Sequence, residues 1–228
     1  RDWSSDVCSS DLMEGSLPTV RLLIVGGEAC SSDLVQRWCQ PGRRMFNTYG
    51  PTEATVIATW TECHPADRVT IGKPLPGYTA YVVNEQFHVV SPGETGELLL
   101  GGAGLARGYV GRVDLTRERF IDLQLPDSST SASRYYRTGD LARWTPDGNL
   151  EFLGRADGQV KLRGFRVELT EIESELLRHE SVLSAAATVF EESPGIQELV
   201  GYVVLRKGHV IDVESIRTSL RQRLPVYM

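Results

Sequence analysis

At 228 residues, 41% apolar and 24% charged, the chain is long enough for one good core or two modest ones and has the texture of a soluble globular protein. A formal net charge of −6 argues against a nucleic-acid partner, because phosphate backbones are met by basic surfaces. No apolar run approaches the roughly 20 residues that span a bilayer, so a membrane partner is not expected.

The first twelve residues are polar and lack a signal-peptide pattern. The string CSSDL occurs at Cys8–Leu12 and again at Cys30–Leu34, and Met13 follows the first copy. Residues 1–12 are expected to be non-native or disordered, and fold reasoning starts after them. Cys8, Cys30, Cys39 and Cys63 have no zinc-type spacing and read as reduced thiols of a cytoplasmic protein.

Val20–Val25 is a continuous apolar run ending at Gly26-Gly27, as expected of a strand buried on both faces. Ser31-Ser32-Asp33 offers N-cap chemistry for a helix carrying Leu34, Val35 and Trp38, and Pro41-Gly42 stops it. Met45-Phe46-Asn47 reads as the next strand, so the opening has an α/β signature. From Val69 to Arg155 short β-prone runs alternate with turns: Thr79–Asn84, Phe87–Val90, Gly96–Leu100, Tyr135–Arg137 and Leu150–Leu153. This predicts a mostly antiparallel β region, with the polar stretch Pro126–Ser133 as a loop. Gln159–Leu169 alternates until Gly164, which predicts a bend or bulge there. Thr170 with Glu173 fits a capping box ahead of Ile172 and Leu176. Ser184–Phe190 and Leu199–Leu205 read as strands. Asp212 is placed to cap a last helix with Val213, Ile216, Leu220 and Leu224 on one face. The fold class is an α/β fragment, a β-rich region and a small α+β C-terminal lobe.

Four stretches carry chemistry. Gly26-Gly27-Glu28-Ala29 closes a strand with two glycines, which allow a ring or phosphate near the backbone, or simply a tight turn. Asn47–Glu53 (NTYGPTE) sets a ring, a Gly-Pro turn, a hydroxyl and a carboxylate in sequence. Tyr49 is suited to stack on a base, Thr52 to meet a phosphate oxygen and Glu53 to bind Mg2+; the alternative is a β-turn with a solvated Glu. Tyr136–Leu141 (YRTGDL) puts Asp140 after a strand and a glycine, where a carboxylate can accept from a ribose diol or merely sit in a turn. Gly154–Glu173 interleaves Arg155, Lys161, Arg163 and Arg166 with apolar positions, which alone describes a solvated strand face.

In this order the stretches, together with Gly96–Arg112 (GELLLGGAGLARGYVGR), resemble nonribosomal peptide synthetase adenylation domains of the acyl-adenylate-forming superfamily, over about Val20–Met228. The resemblance implies that an amino-acid carboxylate attacks the α-phosphate of ATP, and that a peptidyl carrier domain's phosphopantetheine thiol then displaces AMP. It implies Gly27, Glu28, Ala29, Asn47, Tyr49, Gly50, Asp140, Phe152 and Arg155 around the nucleoside, Thr52 at the phosphates and Glu53 at Mg2+. It implies Asp157 as hinge and Lys161 (with Gly164) for the thioester-forming orientation. Ile24, Gly26, Thr48, Val56 and Ile57 would line a pocket for a neutral amino acid. Residues 13–157 would be the C-terminal part of the large subdomain and 158–228 a truncated small subdomain. Neighbouring condensation domains are expected in a longer polypeptide.

The family's phosphate loop with its Lys is expected upstream of Val20. LPVYM at 224–228 is expected to lead on to a Gly-Lys segment that holds the transition state. The isolated chain is therefore expected to be inactive and poorly soluble in its first 60 residues. Three other readings compete. An acyl-CoA or aryl-acid ligase is disfavoured by QVKLRGFRVEL and LPVYM. A non-catalytic assembly fragment concerns the status of this polypeptide. A dinucleotide-dependent oxidoreductase would need a GxGxxG turn that GGAGLARG is not.

Overall fold

The computed structural model describes residues 19–125, 133–156, 159–162, 164–193, 196–210 and 212–228. Residues 1–12, the expected hinge Asp157, Arg163 and all of the expected loop except Ser133 lie outside them. The described residues form two compact units, one ending at Ala156 and the other starting at Gln159.

The first unit opens with β1 (Leu22–Gly26), α1 (Ser32–Trp38) and β2 (Arg44–Tyr49). Ser31 caps α1 by accepting from the Leu34 N–H at 3.1 Å. Val35 and Trp38 bury the helix face against Met45 and Cys63. β1 and β2 pair in parallel, with Ile24 opposite Phe46 and Gly26 opposite Thr48. The expectation that β1 is buried on both faces is corrected. It is an edge strand of alternating burial, with Leu22 50% and Ile24 58% exposed. α1 covers one face only.

β2 pairs antiparallel with β3 (Thr59–Glu62), and β3 with β4 (Lys73–Pro74). Neither β3 nor β4 was expected. Gly72 sits at the join, with φ +75° and with a hypothetical Cβ only 1.9 Å from the Trp60 carbonyl oxygen, so no other residue fits there. Ile71 and Gly72 exchange backbone hydrogen bonds with Leu150, linking this sheet to the next.

That second sheet is antiparallel: β5 (Tyr78–Val83), β6 (Gly96–Gly102), β8 (Ser133–Trp144) and β7 (Phe120–Leu123) in spatial order, with β9 (Leu150–Arg155) on β8. α2 (Val113–Arg119) precedes β7. Phe87–Val90 is not a strand; only an isolated bridge from Val89 to Val83 marks it, because Asn84 accepts from the Gln86 and His88 N–H groups and turns the chain. Val82, Leu98, Leu100, Ala142 and Leu150 pack with Tyr49, Ala54, Ala58 and Ile71 in one core. Each fully buried leucine contributes about 2 kcal/mol by removal from water.

The second unit begins with a hairpin, β10 (Gln159–Leu162) and β11 (Phe165–Glu168), in which Lys161 faces Arg166 across the ladder. Gly164, at φ +77°, belongs to the connecting turn, and the strand reverses there rather than bending. α3 (Leu169–Leu177), the pair β12 (Val182–Ser193) and β13 (Ile196–Leu205), and α4 (Val213–Arg221) complete it. The expected capping box does not form. The Glu173 carboxylate instead accepts from the Ala187 N–H at 2.9 Å, joining α3 to β12, and the N-cap of α3 is Glu168. Asp212 does cap α4, accepting from the Ser215 N–H. Ile216 and Leu224 are buried with Leu162, Val167, Ile172, Leu176 and Val182, whereas Val213 is exposed.

Candidate functional site

Asp140 lies within β8, not beyond a strand end. Thr138, Gly139 and Asp140 stand opposite the single residue Leu98, since Arg137 pairs with Leu99 and Leu141 with Glu97. Such a bulge re-aims a side chain. Thr138 fixes it: its hydroxyl donates to the Leu98 carbonyl at 2.7 Å and accepts from the Asp140 N–H at 3.0 Å. Asp140 is 4% exposed, so its charge needs partners. Arg155, opposite on β9, donates to Oδ1 at 2.6 Å and to the Thr138 carbonyl at 3.1 Å. The Tyr49 hydroxyl donates to Oδ2. Burial, then the Asp140 carboxylate, push the Tyr49 hydroxyl well above its ordinary value, so it stays a proton donor.

Tyr49 comes from the end of β2, and its ring packs against Phe152 with centroids 6.2 Å apart. The rest of NTYGPTE is equally fixed. Asn47 is buried and donates to the Thr70 carbonyl at 2.7 Å. Thr48 donates to the Val25 carbonyl at 2.8 Å. A Cβ on Gly50 would stand 2.6 Å from the Val56 carbonyl oxygen and 2.8 Å from the Ala58 nitrogen, so the chain folds back on itself only through glycine. A single 3-10 turn, Thr52–Ala54, follows. Thr55 and Val56 then take positive φ values of 53° and 71°, unusual for β-branched residues. The Thr55 hydroxyl on the Gly104 carbonyl, at 2.6 Å, supports that bend.

Thr52 is exposed at the head of the turn and Glu53 is buried. The loop after β6 clamps Glu53. The Ala106 N–H donates to its carbonyl at 2.8 Å, and the Tyr109 hydroxyl donates to Oε1 at 2.6 Å. Burial, then Glu53, push the Tyr109 hydroxyl up. Tyr109 was not among the residues expected from sequence; only its place in GGAGLARGYVGR hinted at it. A single carboxylate with hard oxygen donors fits Mg2+, which commonly takes one or two carboxylates plus substrate phosphates and water. Among the described residues no group of three His, Cys, Asp or Glu side chains converges as a metal cage.

Ile24, Gly26 and Thr48 share the face of the first sheet opposite α1; a Cβ on Gly26 would meet the Thr48 hydroxyl at 2.4 Å. Val56 is 70% exposed on the bend and Ile57 half-buried. Gly27, Glu28 and Ala29 form the exposed loop after β1. Lys161 belongs to the second unit. A cavity of ≈630 Å3, lined by Cys63, His64, Arg68, Arg143 and Asp147 among others, contains none of these residues. Thus Tyr49, Phe152, Asp140 and Arg155 form one constellation, Glu53 is held by Tyr109, and Ile24, Gly26 and Thr48 share a surface.

Residues 6–110 match the family model of AMP-binding enzymes. The chain is 48% identical over 221 residues to phosphinothricin tripeptide synthetase PhsC of Streptomyces viridochromogenes, a match spanning 96% of this chain and 20% of that protein. It resembles the Vibrio cholerae adenylation domain AlmE, solved in complex with glycyl-adenosine-5'-phosphate, with a TM-score of 0.81 and 30% identity over 95% of this chain and 41% of that one. The chain is thus similar, over most of its length, to adenylation domains of the nonribosomal peptide synthetase type. A holo NRPS protein containing adenylation and PCP domains is a further structural relative (TM-score 0.77, 33% identity, 84% of this chain and 34% of that one). The chain therefore spans between 20% and 41% of the length of these relatives. ATP-dependent adenylation is the chemistry typical of such domains, and the mixed α/β, β-rich architecture is that of the adenylate-forming fold.

Proposed function

We propose that the polypeptide carrying this chain activates a neutral amino acid as aminoacyl-AMP and passes it to the phosphopantetheine thiol of a peptidyl carrier domain, with condensation domains as neighbours. The buried Asp140 carboxylate, held from one side by Arg155 and from the other by Tyr49, carries this reading. An ionised carboxylate is an acceptor-only group with about four acceptor positions, the chemistry that suits the vicinal hydroxyls of a ribose. Around it, Tyr49 stacks on adenine, Gly27, Glu28 and Ala29 border the base, and Asn47, Gly50 and Phe152 shape the wall. Thr52 meets a phosphate oxygen and Glu53 holds Mg2+, which when bound neutralises phosphate charge. Residues 13–157 then belong to the large subdomain and 158–228 to the small one, with Asp157 as hinge and Lys161 serving the thioester step.

Ile24, Gly26, Thr48, Val56 and Ile57 carry no charge, which favours a neutral side chain in the substrate. The test is amino-acid-dependent ATP–pyrophosphate exchange by the whole polypeptide encoded at the locus, with each amino acid in turn. Exchange supported by a neutral amino acid, and lost in Asp140→Asn, is expected. A preference for Asp, Glu, Lys or Arg would overturn the substrate class. Thioester formation between free CoA and an acyl or aryl acid, without amino-acid exchange, would favour the CoA-ligase alternative.

A further inference from the structure

The bulge that carries Asp140 sets Thr138, Gly139 and Asp140 against the single Leu98. Gly139 stands in its middle at φ +72°. Glycine enters and leaves that state freely, so the aim of Asp140 depends on what ties the Gly139 peptide groups. The Gly139 carbonyl accepts from the Ala156 N–H at 2.9 Å. The Gly139 N–H donates to Glu97 Oε1 at 3.2 Å. Arg137, opposite Leu99, is paired just before the bulge, and Glu97, opposite Leu141, is where the ladder resumes. Arg137 donates to the other carboxylate oxygen of Glu97, from Nη2 at 2.8 Å and from Nε at 3.3 Å. The ion pair therefore spans the bulge from end to end. The Glu97 side chain is 17% exposed, shielded enough for the pair to persist in salt. The Arg137 guanidinium lies 5.1 Å over the Phe87 ring, which fixes its place. One Glu97 oxygen on a cation and the other on a backbone N–H make a charge-assisted, two-point anchor.

We propose that Glu97 is a positioning residue of the nucleotide site, aiming the Asp140 carboxylate at the ribose hydroxyls by clamping the bulge between Arg137 and Gly139. The inference rests on the ribose role of Asp140 given under the proposed function. Arg155 and Tyr49 hold the two Asp140 oxygens, and Thr138 ties the bulge to β6 from within. Glu97 supplies the remaining tie, on the Gly139 N–H, and acts on Asp140 through that peptide. Hydrogen bonds weaken steeply when they leave line, so a displaced bulge loses the ribose contacts. Contacts to the base and the phosphates come, under the same reading, from Tyr49, the loop after β1 and the turn at Thr52, and they stay.

The experiment is calorimetric titration of the full 228-residue chain with AMP and with its 2',3'-dideoxy analogue, in wild type, Glu97→Gln and Glu97→Asp. Gln fills the same space but offers one oxygen where Glu97 offers two. Asp keeps the charge but is a methylene short of reaching both partners. A thermal melt checks the fold of each variant, and either one, folded, decides. Wild type is expected to prefer AMP by roughly tenfold or more, as hydrogen bonds to a charged group imply. In the variants the preference is expected to fall below about threefold through weaker AMP binding, with the affinity for the dideoxy analogue kept within about twofold. Equal weakening of both nucleotides would make Glu97 a general structural residue and overturn the proposal. So would the full wild-type preference in a folded variant. A wild type that prefers neither nucleotide overturns the ribose reading itself, and the role of Glu97 with it.

Discussion

Tyr109 and Glu53 meet across 56 residues of sequence, and the contact shows what a single hydroxyl supplies. It gives a buried carboxylate a donor that keeps its proton at neutral pH. Tyr109→Phe removes only that donor. A hydrogen bond to a charged group is worth about 1.5–3 kcal/mol when its loss leaves the charge buried, so a urea unfolding titration of the variant is expected to show a loss of that order. An unchanged unfolding midpoint would mean that Glu53 is held by its neighbours without Tyr109. Asp140, Glu53 and Tyr49 could be singled out from the sequence as candidates because short strings of unusual chemistry carry them. Tyr109 could not, because its role depends on a partner that no local pattern identifies.

Elements were legible where periodicity was local and obscure where pairing made the strand. Gly96–Leu100 and Thr79–Asn84 alternate or run apolar, and they fall on β6 (Gly96–Gly102) and, apart from Asn84, on β5 (Tyr78–Val83). Thr59–Glu62 is short and polar and becomes β3 only through its ladder to β2. Thr138-Gly139-Asp140 looks like a turn, yet it is a bulge inside β8. Charge also joins elements that sequence reasoning keeps apart. Glu151 on β9 accepts from Arg143 on β8 at 2.6 Å and from Arg68, 83 residues away, at 3.0 Å. Burial raises the Glu151 carboxyl, but Arg143 and then Arg68 outweigh it, and the group lies below its ordinary 4.5. A depressed carboxyl contributes stability that is present above pH 4.5 and lost as pH falls through the folded value. Both arginines are partly exposed, so the effect is modest, roughly 0.5–1 kcal/mol. Thermal melts of wild type and Glu151→Gln are expected to differ by that much at pH 7 and to converge near pH 3. A gap of equal size at both pH values would contradict the ion-pair account.

At the scale of the molecule, each unit has its own large core among the described residues, around Leu98, Leu100 and Leu150 in the first and around Val167, Ile172 and Val182 in the second. The change of texture near Asp157 was legible because a β-rich region gives way to mixed helices and strands. The exposure of β1 was not, since an apolar run such as VRLLIV reads as buried whatever covers it. The central claim is that Asp140, braced by Arg155 and Tyr49, receives a ribose. The most direct measurement is calorimetric titration of the chain with AMP and with its 2',3'-dideoxy analogue, in wild type and in Asp140→Asn. The account predicts saturable AMP binding in the wild type, weaker for the dideoxy analogue by roughly tenfold or more, as the loss of one hydrogen bond to a charged group implies. It predicts that this discrimination collapses in Asp140→Asn. Equal affinity of the wild type for the two nucleotides, or no saturable binding of AMP, would contradict it.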